Sequence, residues 1–353
     1  VTSTRRTVRL GGLSFLLRPR LVVVTASGVA ALLLVVALNL GIGSVHIGLS
    51  DVVSALFGAG DPLHHNIIWE LRMPRTLVGI LVGGALGVAG AIFQSIARNP
   101  LASPDVLGVT WGAAAAAVGV IVLEGTRGQI TGGASTIGVP LAGLLGGLLA
   151  GVLLYVLSWR RGIDGYRMVL IGIGIAAIGY NLVYWLLSVG DVDDAARAVT
   201  WLVGNLADVG WDGVAPVSIA LAVLVPVAVI AGRTLGGLQY GDDTARGLGI
   251  RVDRARGALL LLAVALAAVA TSATGPIAFV ALATPQITLR LAGTAQPPLV
   301  GSMVFGALLT VSADLVVRTV PLLSGLPVGV LTAVLGAPYL VFLFIRRRRE
   351  ERV

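Results

Sequence analysis

Long hydrophobic runs alternate with short polar segments rich in Arg, Asp, Gly and Pro along the whole chain. The runs cover residues 21–40, 75–96, 105–123, 138–158, 167–188, 213–232, 257–274, 276–291, 299–318 and 326–345. Most approach the ~20 apolar residues that cross ~30 Å of hydrocarbon. Inside a bilayer a backbone segment must satisfy its own hydrogen bonds, which a helix does. The pattern therefore predicts an all-α polytopic membrane protein of about ten transmembrane helices. Gly, Pro and Thr interrupt the third and eighth runs, and such breaks are tolerated where protein or a cavity covers the freed backbone. The first run follows a basic stretch, as in a secretory leader. It is longer than a leader's apolar region and has no convincing small-residue cleavage site, so it reads as an uncleaved span. The resulting organisation is an arm over 1–20, a single membrane domain over 21–346 containing a polar loop over 233–256, and a tail over 347–353.

The polar positions orient this array. Every basic side chain is Arg, 25 in all. With ten spans, twenty of them fall on the face that carries both termini and five on the other: Arg72, Arg75, Arg127, Arg197 and Arg318. An excess of arginine marks cytoplasmic segments, so both termini are expected in the cytoplasm. Within the spans, Gly79, Gly83 and Gly87 recur every four residues, as do Gly143, Gly147 and Gly151. That spacing makes a groove along a helix, and close helix packing is its expected use.

Composition sharpens the picture. The chain has 353 residues, of which 56% are hydrophobic and 12% charged, with mean hydropathy +0.95. Soluble domains carry about 25% charged residues. There is no Lys and no Cys, so the chain supplies neither the lysine of a phosphate-binding P-loop nor thiolate chemistry. His46, His64 and His65 all lie between the first two spans and read as loop histidines, because no metal-ligand spacing accompanies them. Asp191, Asp193 and Asp194 cluster on one face, but the second acidic pair, Asp242 and Asp243, falls on the other, which disfavours a two-site Mg²⁺ transferase. Asp314 and Arg318 stand four apart and share one helix face within ion-pair reach. The segment GGLQYGDDTARGLGIRVDRAR, 236–256, can form a short helix capped by Asp242 or Asp243 and ended by glycine.

Five ordered motifs resemble one family. They are LRMPRTLVGILVGGALGVAGAIFQSIARNPLASPDVLGVTWGAA from Leu71, Gly204-Asn205 after Trp201, GDDTARGLGI from Gly241, GPIAFVALATPQ from Gly275, and ADLVVR with LPVGVLTAVLGAPYLVFL towards the C-terminus. The family is that of the iron–siderophore/vitamin B12 (FecCD-type) permeases of ABC importers. The resemblance implies a passive subunit that binds no cofactor itself. It would pair with a second permease subunit, identical or paralogous. Two ABC ATPase subunits would use ATP and Mg²⁺ to drive it, and an extracytoplasmic binding protein would deliver the chelate. It implies no nucleic acid partner, no resident metal and no catalytic residue, and a place among the lipids of the cytoplasmic (inner) membrane. Carried over by position, Asp242, Asp243, Ala245, Arg246, Leu248 and Gly249 would contact the ATPase, and Arg72, Arg75 and Arg318 would dock the binding protein. Pro285, Gln286, Asn99 and Pro100 are candidates for the translocation path. Where the family usually has Pro-His, this chain has Pro285-Gln286, which can hydrogen-bond but cannot titrate. Ferric siderophore is the expected cargo, with cobalamin or haem as alternatives. An ion-coupled secondary transporter is the rival class; it would carry acids deep in its spans.

Overall fold

A computed structural model describes residues 6–10, 13–43, 45–126, 132–160, 162–207, 209–350. A short antiparallel hairpin, β1 (Arg6–Leu10) and β2 (Leu13–Leu17), precedes a helical body. The ten predicted spans correspond to ten helices. They are α1 (Pro19–Gly41), α4 (Met73–Ala97), α5 (Val109–Thr126), α6 (Gly132–Ser158), α7 (Gly165–Val189), α9 (Trp211–Leu238), α11 (Val252–Thr274), α12 (Val280–Ala292), α13 (Leu299–Thr319) and α14 (Val328–Glu350). Four short helices join them: α2 (Leu49–Leu56), α3 (Pro62–Asn66), α8 (Val192–Leu202) and α10 (Asp242–Gly247). A π-helical turn, Ile67–Arg72, leads into α4.

Among the described residues, α1, α4, α6, α7, α9, α11 and α13 are long and apolar enough to cross a membrane. The helices of the third, eighth and tenth runs fall short, the tenth because its apolar part among the described residues is only Val328–Tyr339; the third and eighth are the interrupted ones. The helix of the third run starts at Val109, after a non-helical stretch from Arg98 that holds the two prolines Pro100 and Pro104. In the eighth, Gly275 takes φ +72° and Phe279 takes φ +66°, so residues 275–279 are not helical and α12 has 13 residues. At 1.5 Å per residue that is about 20 Å, less than the ~30 Å core. The helices flanking the polar loop predicted over 233–256 run into it from both sides, to Leu238 and from Val252.

α4 is the axis of the fold, and its apolar window is 83% buried. The glycine groove explains how α13 lies against it. A Cβ on Gly83 would stand 2.4 Å from the Gly306 carbonyl oxygen, so only glycine permits this approach. The second stripe, Gly143, Gly147 and Gly151, faces Ser272, Ala268 and Val264 of α11 in antiparallel register, and it is tightest at Gly151, where a Cβ would stand 2.1 Å from the Val264 side chain. Without a hydrophobic driving force between helices in lipid, such close van der Waals fit is what binds them.

The helix ends separate into two groups. Arg20 donates to the carbonyls of Arg290 and Leu291 at the end of α12, and Arg98 at the end of α4 reaches Asp242 of α10. These share one face. The end of α1, the start of α4 and the end of α13 meet on the opposite face through Arg72, Arg75 and Arg318.

Candidate functional site

The chemistry concentrates at two ion clusters, one at each end of α4. The first is centred on Asp314, 1% exposed. Arg75 donates to its Oδ1 through Nε at 2.8 Å and Nη2 at 2.5 Å. Arg318, one turn on, places Nε 3.3 Å from Oδ2 as an ion pair, without hydrogen-bond alignment, and donates Nη2 to the Asn39 carbonyl. Asn39 adds its amide to Asp314 Oδ2 at 3.4 Å and to the Val311 carbonyl. An unpaired carboxylate at this depth would be costly; two guanidiniums and an amide satisfy it. The i, i+4 pair expected from the sequence is thus present, with Arg75 from 239 residues away completing it.

Arg72 sits beside this cluster but is turned inward. It is 5% exposed, and its terminal nitrogens donate to the carbonyls of Leu40 and Val45. The last carbonyls of a helix lack intrahelical partners, and Arg72 satisfies the end of α1. Arg75 and Arg318 keep side-chain exposures of 16% and 17%. Two guanidiniums share the one carboxylate, and Arg72 stands beside them without pairing to it, so the cluster itself holds one surplus positive charge.

The second cluster is centred on Asp242. Arg256 of α11 grips it with two bonds, 2.9 and 2.7 Å, and Arg98 donates at 3.0 Å. Arg256 also donates to the Ile163 carbonyl, and Arg98 to that of Leu238. Partial burial pushes the Asp242 carboxyl up, but Arg256 and Arg98 outweigh it and hold the group below the usual carboxylate range. The carboxylate thus joins α10 to the end of α4, the start of α11 and the turn before α7. Arg98 can turn back towards α10 because it ends α4 in the left-handed region, φ 49°.

The six residues expected at the coupling surface divide by what they touch. Asp242 and the buried Ala245 anchor α10 to the body. Asp243, Arg246, Leu248 and Gly249 are exposed, and Asp243 and Arg246 form a solvent-facing pair at 3.1 Å. Gly249 takes φ +82°, ending the helix in a conformation that favours glycine.

The expected path residues do not gather in this subunit. Asn99 Oδ1 accepts from the Leu101 N–H and closes the turn after α4, with Pro100 next to it. Pro285 and Gln286 are buried in α12. Gln286 donates to Gln94 Oε1 at 2.7 Å, and Gln94 donates to the Leu282 carbonyl, so the pair ties α12 to α4. Asp105 was not singled out by the sequence. It lies in the non-helical stretch before α5, accepts from the Thr110 hydroxyl at 2.8 Å and the Phe279 N–H, and lines a cavity of about 360 Å³ with Trp111, Pro276 and Val330. The spacing of Asp105 and Thr110 gave no hint, because the Phe279 N–H that completes the site lies 174 residues away in sequence. On the other acidic cluster, Asp191 starts α8, and Asp194 is buried and ion-paired with Arg197. His65 of α3 bonds the Ala55 carbonyl, which also accepts from the Trp69 indole.

Comparison with known proteins gives consistent results. The model of the FecCD transport family matches residues 31–346. The chain is 38% identical over 309 residues to the ferric enterobactin transport system permease protein FepG of Escherichia coli K12, covering 88% of this chain and 91% of that protein. It is 33% identical to the iron-uptake system permease protein FeuC of Bacillus subtilis 168, covering 92% and 97%. A solved structure described as an inward-facing conformation of a metal-chelate type ABC transporter superposes with a TM-score of 0.79 at 25% identity, covering 92% of this chain and 99% of that one.

Proposed function

The chain belongs to the FecCD transport family, and from that premise we propose that it is the membrane-spanning subunit of a binding-protein-dependent importer of ferric siderophores. Relatives named for ferric enterobactin and achromobactin transport support the cargo class. The subunit pairs with a second permease subunit, identical or paralogous, in the inner membrane with both termini cytoplasmic, the side that the arginine excess favours. ATP and Mg²⁺ act on two separate ATPase subunits.

One observation carries the mechanism: α10 offers an exposed face while Asp242 fixes its back to α4 and α11. A partner that grips Asp243, Arg246 and Leu248 pulls on the axis of the fold through that carboxylate. Closure of the ATPase pair then reorients α4 and the helices packed on it, and the chelate passes without any bond being broken. At the opposite end, the surplus positive charge of the Arg75–Asp314–Arg318 cluster suits a carboxylate of the arriving binding protein. Arg75 and Arg318 take this role, because the terminal nitrogens of Arg72 are spent on the end of α1 and the segment after it. A bidentate arginine–carboxylate contact there fixes register more than it adds affinity.

Reconstitution tests the reading. Vesicles holding the subunit with its ATPase partners, supplied with loaded binding protein and ATP, should accumulate ferric siderophore, and vesicles holding this chain alone should not. Accumulation by the chain alone would overturn the proposal. Uptake of haem or cobalamin in place of ferric siderophores would overturn the cargo assignment and leave the rest standing.

A further inference from the structure

Beside the coupling segment, a cleft of about 540 Å³ separates α9 from α11. One wall is Val227, Ala231 and Thr234 of α9, spaced along one helix face; the other is Ala258, Leu259 and Leu262 of α11. Its mouth is formed by Gly249, Arg251 and Arg254. Both arginines are exposed, and neither pairs with a carboxylate among the described residues. The acid between them in sequence, Asp253, lies over Gly162 instead. α9 turns most of its surface outward, with only 22% of its apolar window buried.

We propose that this cleft binds an anionic phospholipid of the leaflet on the coupling side, with its phosphate between Arg251 and Arg254 and an acyl chain along Ala258–Leu262 and Val227–Ala231. Charge and length both fit this occupant. Two exposed guanidiniums without a carboxylate partner at one mouth attract an anion, and a planar arginine fork suits phosphate oxygens. From Arg251 to Leu262 the α11 wall runs about 16 Å at 1.5 Å per residue, which matches one leaflet of a ~30 Å hydrocarbon core. A free phosphate would leave the apolar depth unfilled, and a zwitterionic lipid would leave the arginines unmatched. Because Gly249 closes both α10 and the cleft mouth, the lipid headgroup braces the segment on which the ATPase acts.

The test titrates the full chain in detergent with phosphatidylglycerol, phosphatidylcholine or inorganic phosphate, and counts retained adducts by native mass spectrometry. Phosphatidylglycerol should be retained at least about tenfold better than phosphatidylcholine, since each arginine near a membrane surface adds about 1 kcal/mol to anionic attraction. Arg251→Ala/Arg254→Ala should abolish the preference. Leu262→Trp, which fills the depth and spares the mouth, should weaken phosphatidylglycerol retention too. Equal retention of the two lipids, or a preference that survives the double alanine variant, would overturn the proposal. So would arginine-dependent phosphate binding that Leu262→Trp leaves unchanged. If the ATPase subunit, but not phosphatidylglycerol, shields Arg251 and Arg254 from an arginine-modifying reagent, the cleft belongs to that partner and the lipid assignment fails.

Discussion

At the start of α4, Arg75 and Arg318 close on Asp314; at its end, Arg98 and Arg256 close on Asp242. Both are one aspartate between two arginines, with one arginine supplied by α4. They differ in what carries the acid. Asp314 is 1% exposed and sits inside a long helix whose neighbour approaches to glycine contact. Asp242 is one-third exposed and rides on a six-residue helix between two loops. The first clamp is sealed into the packing of α1, α4 and α13. The second is open to water and mounted on a part that can be pulled. The same three groups thus make a fixed joint in one place and a transmission in the other, and burial decides which.

Breaking the sealed clamp should have the largest effect. Asp314→Ala leaves the half-buried Arg75 and Arg318 together with no acid between them; breaking a fully buried pair by removing one partner costs about 3–5 kcal/mol, and the loss here should approach the lower end of that range. Thermal unfolding in detergent should show it. Replacing Asp314 and both arginines together with apolar residues of similar volume should recover most of the loss. If Asp314→Ala unfolds like the parent protein, the cluster does not hold the fold and the contrast drawn above is wrong.

Loosening the open clamp should cost less. Asp242→Asn removes the charge but keeps the shape, and for a partly exposed group about 1 kcal/mol is the expected loss. Its pH dependence is specific. The native carboxyl lies below the ordinary value of about 3.9, so the clamp's contribution is fully present above about pH 4. It fades as the pH falls through the lowered native value, where Asp242 is protonated in both states. The stability gap between Asp242→Asn and the parent should therefore be constant from pH 7 to about pH 5 and close only under stronger acid. A gap that closes near pH 6 would mean that some other group controls it.

The two clamps were unequally visible in the sequence. The i, i+4 spacing of Asp314 and Arg318 shows a pair without any structure, but Arg75 is 239 residues from its partner and no local pattern could join them. Arg72 is a plainer lesson. It stands in a segment that looks like an outer loop, yet it is buried because the end of α1 leaves carbonyls that need a donor. Hydropathy located all ten long elements, since lipid imposes one requirement along each run. It placed the start of the eighth at residue 276, four residues early, because the non-helical stretch Pro276–Phe279 is nearly as apolar as the helix it precedes. The short helices α2, α3 and α8 were missed for the opposite reason: they lie between spans, are only partly buried, and satisfy no membrane rule. α8 did carry a signal in Asp193 and Asp194, acids in a first turn. The split of the coupling residues into anchors and exposed contacts needed the fold, because Asp242 and Asp243 are chemically identical neighbours and only the positions of Arg98 and Arg256 distinguish them.

That split gives the smallest effect on stability and the most selective one on function. Asp243 and Arg246 pair only with each other at the described surface, fully and half exposed respectively. Exchanging them, Asp243→Arg/Arg246→Glu, keeps an ion pair at the same spacing and reverses the charges shown to a partner. Exposed substitutions of this kind change stability by less than about 0.5 kcal/mol, so unfolding should be unaltered. A partner surface complementary to the original order would meet like charges, and stimulation of ATP hydrolysis by loaded binding protein should fall severalfold in the reconstituted assembly. Asp242→Asn, by contrast, leaves that face intact and should lower transport per ATP hydrolysed more than hydrolysis itself, since its damage lies behind the contact. If the exchange leaves stimulation untouched while Asp242→Asn abolishes it, force enters through the anchor rather than the exposed face, and the roles assigned to the two sides of α10 must be reversed.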